Sequence, residues 1–206
     1  MLLVLKRTRS ELLYRKNLIV FNLKFLDVCS AMKYHLKYWL HYLLSHSRHG
    51  THSPFVYKLV DEVIYQDEPP EAYLQLPAGV KCWRKVERKK YLLISRLLKA
   101  FAYDQFALMV DEDAVDYRDL FERQCGNYSF RNISYIDQDN PVTDFVAAAR
   151  DRDMLIVNEP HLNTARELYW NKLKVDDRVV VTVDLYHLGL VFFRAGQRKE
   201  NFFIRF

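Results

Sequence analysis

Glycine is scarce in this chain. Five residues of 206 are Gly, below the usual share of about 7%, and there is none between Gly79 and Gly126. No Gly-x-Gly pair occurs, so the sequence offers none of the loops in which a bare backbone closes on a phosphate or dinucleotide. Cysteine is scarce too. Cys29, Cys82 and Cys125 are far apart and form no Cys-x-x-Cys, which excludes a disulfide framework and a zinc knuckle and fits a reducing, cytoplasmic setting. Long apolar runs are missing as well: Leu18 to Leu26 is interrupted by Asn22 and Lys24 and falls far short of the roughly 20 residues that span a bilayer. No small-residue cleavage site follows it, so neither export nor a spanning helix is expected.

What is present is unevenly spread. Residues 1–50 hold nine Lys or Arg against Glu11 and Asp27, a net charge of +7, whereas the rest holds 22 against 24, a net charge of −2. The overall +5 is therefore a property of the front of the chain, and a basic nucleic-acid-binding domain is not indicated. Residues 1–45 mix Leu, Tyr, Lys and Arg without Pro or Gly, and Tyr34, Tyr38 and Tyr42 recur at i, i+4. One or two amphipathic helices follow from that spacing, as a cover for a core or as a surface for a membrane or a protein partner.

Beyond this front, Ser53 and Pro54 supply an N-cap and first position for a helix over Pro54 to Tyr65. Residues 66–82, with Pro69, Pro70 and Pro77, read as a linker. Then helix and strand alternate: a helix over Val86 to Phe101, a strand over Phe106 to Val110, a helix over Asp113 to Cys125, a strand over Ile133 to Asp137, a helix over Val142 to Arg150, a strand over Met154 to Val157 and a helix over Thr164 to Lys174. The end is two or three strands: Val179 to Leu185, a tight connection at Gly189, Leu190 to Phe193, and Asn201 to Phe206. Such alternation predicts an α/β domain over 83–206 with a mostly parallel sheet, closed by an antiparallel hairpin, behind a helical extension over 1–65.

Two stretches resemble a known family. Arg48-His-Gly-Thr-His-Ser-Pro-Phe55 is similar to an N-terminal RHGxHSPF signature, and Thr182 to Phe206 is similar to an ending of the form TVDLxxLGLVFFRxxQxKExFxIRF. Both belong to a group of bacterial S-adenosylmethionine-dependent methyltransferase-like proteins on the class I, Rossmann-like α/β fold. Met32-Lys-Tyr-His-Leu-Lys-Tyr-Trp39 resembles the usual start of that family, which would make residues 1–31 an upstream extension. The resemblance implies S-adenosylmethionine as cofactor, bound by a glycine-rich loop after the first strand. Here Asp111-Glu-Asp113 stand in that place, crowding the loop and repelling the cofactor's own carboxylate. The middle of the chain is also shorter than the family's, as a deletion within the core would make it. The resulting expectation is a methyltransferase-like protein with a degenerate cofactor site and a binding or accessory role. The alternatives are an active cytoplasmic methyltransferase of unknown acceptor with an atypical loop, and a membrane- or partner-docking protein acting through residues 1–45.

Candidate site residues follow from the same comparison. Asp111 would lie against the cofactor, and Asp137, ending the second strand, stands where such enzymes hold the ribose hydroxyls. Asn158, Glu159 and His161 follow a buried strand at its carboxyl end, in place of the family's D-D-x-H-W and distantly like the N-P-P-Y motif of amino-group methyltransferases. Read as plain structure, Asp111, Glu112 and Asp113 cap a helix, Asp137 makes a turn beside Asn140-Pro141, and Asn163 caps the next helix. Metal readings exist for Asp111, Asp113 and Asp116 and for His46, His49 and His52, but Gly50 and Pro54 break the helix that would align the histidines. No Ser, Cys or Lys stands in a nucleophile motif.

Overall fold

The computed structural model describes residues 31–46, 52–101, 103–110, 115–124, 130–139, 141 and 145–206. The chain divides into two compact units, Met1–Leu40 and His41–Phe206. Residues 31–44 are helical (α1). Then come α2 (Pro54–Leu59), which tightens into a π-helical turn over Val60–Ile64, two short helices α3 (Pro70–Leu74) and α4 (Ala78–Lys81), and α5 (Lys85–Ala100). The sheet region follows as β1 (Tyr103–Met109), α6 (Val115–Gln124), β2 (Phe130–Ile136), α7 (Phe145–Ala148), β3 (Asp153–Asn158), α8 (Thr164–Val175), β4 (Val181–Asp184), β5 (Leu188–Phe193) and β6 (Glu200–Phe203).

The architecture is α/β, with a mixed six-stranded sheet in the order β1-β2-β3-β5-β4-β6. β1, β2 and β3 are parallel, β5 is antiparallel to both β3 and β4, and β6 is parallel to β4. The terminal hairpin thus enters the sheet instead of adding to its edge. Alternation sorts the two faces. Ile133, Tyr135, Met154, Ile156, Val181, Val183, Leu190 and Phe192 meet α2, the π turn, α5 and α6, whereas Ile136, Leu155, Val157, Val191 and Phe193 meet α7 and α8.

This sorting fixes the hand of the connections. β1→β2, β2→β3 and β3→β4 all progress the same way across the sheet. Yet α6 lies on one face, through Tyr117 and Phe121 against Tyr135, while Val146 of α7 and Trp170 of α8 lie on the other. The first connection therefore has the hand opposite to the next two. Parallel crossovers are right-handed in about 98% of cases, so α6 sits where it would lead to a strand on the far side of β1, the edge strand among the described residues.

Several expectations change. Gly189 does not make the turn: it lies within β5, and a Cβ there would come 2.6 Å from the Trp170 ring. The turn is Leu185–His187, with Tyr186 at φ 68°. Residues 66–82 are not a bare linker, since they form α3 and α4 and send Leu76 and Val80 into the core. The helix over 54–65 contributes Val56, Leu59, Val60, Val63 and Ile64 to the same core, so it belongs with the sheet unit rather than with an extension. Within the helix expected over Val142 to Arg150, Phe145–Ala148 is helical and 149–150 is not, while residues 142–144 lie outside the described residues. The π turn leaves the Val63 and Ile64 carbonyls to outside donors, and Arg96 of α5 supplies both, 2.8 Å and 3.4 Å away. No helix among the described residues is long and apolar enough to cross a membrane.

Candidate functional site at the carboxyl ends of the strands

Open parallel sheets bind ligands beyond the carboxyl ends of their strands, at the point where the strand order reverses. Here the order runs one way from β1 to β3, with β1 at the edge, and three ionic clusters occupy the carboxyl ends.

The first is built on Arg166, in the opening turn of α8. Its Nη1 donates to Asp137 Oδ1 at 2.8 Å and to the Asn158 carbonyl at 3.1 Å, and its Nε donates to Asp139 Oδ1 at 2.8 Å. Asn163 caps the helix, accepting from Arg166 N at 3.0 Å, and its amide donates to Asp139 at 2.9 Å. The Arg166 and Asn163 hydrogen bonds hold the Asp139 carboxyl below the usual range. Burial alone would lower the guanidinium, but the two aspartates outweigh it and raise it.

The second is built on Lys90, fully buried on the core face of α5. Its Nζ lies 2.7 Å from Glu159 Oε1, 2.8 Å from Glu87 Oε2 and 3.0 Å from Asn158 Oδ1. Glu159 also meets His187 Nδ1 at 3.3 Å, and its backbone, at φ 45°, is held by donation to the His187 carbonyl at 3.0 Å. A left-handed non-glycine residue costs about 1–3 kcal/mol, and the buried lysine gives Glu159 the partner that holds it there.

Beside Glu87 and Asp137, Tyr117 and Tyr135 stack at 4.9 Å. Burial pushes both phenols up, reinforced by the two carboxylates, so both stay neutral. Neither hydroxyl has a hydrogen-bond partner of ordinary geometry among the described residues.

The third centres on Asp184, buried at the end of β4. It accepts from Trp170 Nε1 at 2.8 Å and from Tyr186 N at 3.0 Å. His161 Nε2 lies 2.9 Å from Oδ2, and His41 Nε2 lies 3.3 Å from Oδ1. An ionised carboxylate only accepts, so His161 carries its proton on Nε2. Burial would raise the Asp184 carboxyl, yet the bonds from His161 and His41 hold it far below the usual range. Tyr186 stacks on His161 at 5.0 Å and 17°. Trp170, Tyr186 and His161 donate to this carboxylate, and His41 Nε2 lies between the Asp184 main-chain carbonyl, 3.2 Å away, and the carboxylate.

The sequence candidates thus part company. Asn158 and Glu159 go to Lys90, Asp137 goes to Arg166, and His161 goes to Asp184. Asp111 and Asp113 lie outside the described residues, as does His49, so the metal readings that use them fall there too. No group of His, Cys, Asp or Glu that could hold a metal occurs among the described residues. Sequence reading missed Lys90, Arg166, Asp184 and His41. Two left a signal: Lys90 shares a helix face with Ile94 and Leu97, and Arg166 puts a cation in a first turn, where the helix dipole disfavours it unless an anion is at hand. Searches of protein-family models, curated proteins and solved structures find nothing that matches this chain.

Proposed function

We propose that this chain is a methyltransferase-like scaffold of the S-adenosylmethionine-dependent type whose cofactor site has degenerated, and that it serves in a binding or accessory role. One observation carries the reading: the polar groups that would meet a ligand at the strand ends are already paired within the chain. Arg166 takes Asp137, the residue placed for a ribose, and Lys90 takes Asn158 and Glu159, the residues placed for an acceptor. Competing for either would strand a buried charge, which costs about 3–5 kcal/mol. The family signatures supply the ancestry, and the absence of glycine after β1 removes the backbone cradle. The reversed hand of β1→β2 supports a deletion, since it leaves α6 aimed at strands that would extend the sheet beyond β1.

A thermal-shift assay with S-adenosylmethionine and S-adenosylhomocysteine tests this. A ligand at a hundred times its Kd adds about 2.7 kcal/mol and would raise the melting temperature by about 5–10 °C. The expected result is no shift with either, and a shift of that size would overturn the degenerate reading.

A further inference from the structure

Protein interiors leave few voids larger than a water molecule, yet a cleft of about 210 Å³ stays open between α5, α6 and the stretch that carries α3. Its floor is apolar, made by the buried side chains of Leu76, Leu92 and Leu120. Lys99 and Arg123 line it as well, each in the last turn of its helix, α5 and α6 respectively. α5 ends at Ala100, just before β1 begins at Tyr103. This end of the cleft therefore lies by the amino ends of the strands, away from the three ionic clusters.

Charge selects the occupant. Glu68 is the one carboxylate that lines the cleft among the described residues, and it pairs with Arg96. The Nε and Nη2 of Arg96 already go to the Val63 and Ile64 carbonyls, so that pair is neutral and closed. Arg123 spends Nε on the Asp119 carbonyl at 3.0 Å, which leaves both its Nη groups. Neither Arg123 nor Lys99 has a carboxylate partner among the described residues; Glu71, Asp119 and Glu122 are exposed nearby without lining the cleft.

Cations suit helix C-termini, which accounts for the sign of Lys99 and Arg123. It does not account for the amount. Two helix ends supply about −0.5 each, roughly −1 together, against two full positive charges, so about one positive charge is left over beside an apolar floor. That balance matches a monoanion and falls short of the two charges of a phosphate monoester. The volume is also below the roughly 300–1,000 Å³ of pockets that take drug-sized ligands, so the occupant is small.

We propose that this cleft binds a small ionised carboxylic acid, its apolar body on Leu76, Leu92 and Leu120 and its carboxylate between Lys99 and Arg123. A guanidinium meets a carboxylate through two parallel hydrogen bonds, which fixes the orientation. The site is independent of the cofactor question.

The test is a titration of the full, ¹⁵N-labelled chain with benzoate, read by amide chemical shifts, with benzamide as the neutral isostere and inorganic phosphate as the more highly charged control. The expected result is a saturating shift centred on Leu76, Leu92 and Leu120, with a Kd on the order of a millimolar, the range open to so small a ligand. Lys99→Ala and Arg123→Ala each weaken it about tenfold, the loss of one charge-assisted hydrogen bond. Lys99→Glu with Arg123→Glu abolishes it, at an unchanged melting temperature because both side chains are exposed. Equal binding of benzamide, tighter binding of phosphate, shifts centred elsewhere, or unchanged affinity in the Glu variants would each overturn the proposal.

Discussion

The two halves of the sheet are built to different standards. Every residue of β3, β4 and β5 is buried, both faces are covered, and polar groups there are bonded in clusters such as the one around Asp184. In β1 only Tyr103 is buried, with Gln105 and Ala107 exposed, and the strand stands at the edge of the sheet among the described residues. The well-packed half holds Thr182 to Phe193. The other half is where a cofactor cradle would start. Under the proposed function, that difference is what loss of a cofactor site beside an intact scaffold would leave.

Substitutions can break this comparison. The largest effect belongs to Lys90→Met, which leaves Glu159 and Glu87 without their shared cation and costs about 3–5 kcal/mol in denaturant unfolding. Adding Glu159→Leu should recover part of that, and a loss under 1 kcal/mol for the single change would contradict the picture of a buried, interdependent cluster.

Asp184 comes next, through pH. Its carboxyl is depressed in the fold, so its contribution is fully present above the unfolded value of about 3.9 and is lost as pH falls below it through the folded value. Stability measured from pH 6 downward should therefore drop below about pH 4, and Asp184→Asn should be less stable at pH 6 with a flatter acid limb. An identical acid limb in the two proteins would remove Asp184 from the account.

Gly189→Ala forces a methyl group against Trp170 and should cost about 1–3 kcal/mol, read as a lower urea midpoint. By contrast Ala107→Lys on exposed β1 should stay within about 0.5 kcal/mol. If the two substitutions cost the same, the halves of the sheet do not differ in the way described. Tyr117→Phe sharpens the point at the smallest scale. Its hydroxyl has no partner of ordinary geometry among the described residues, so its removal should be neutral or slightly stabilising by chemical denaturation.

Periodicity exposed most of the fold. The capped starts at Ser53–Pro54 and Asn163 were legible because capping is local chemistry: each side chain accepts from the backbone amide three residues on. The alternation after residue 100 was legible for the same reason. Gly189 was misread because a glycine between two β-branched runs looks like a turn, and only the ring of Trp170, brought in from α8, shows that it answers to close packing. The three ionic clusters were hidden because each joins groups far apart in the chain, Lys90 to Glu159 and His41 to Asp184 among them, which no spacing rule connects. Asp137, Asn158, Glu159 and His161 were found, but as separate loop residues; the cations and carboxylate that claim them came from other elements.

The central claim is that the carboxyl ends of the strands are closed by the protein's own charges. It is met most directly by isothermal titration of the full chain with S-adenosylhomocysteine. The account predicts no saturable heat up to millimolar ligand, and a micromolar Kd would contradict it.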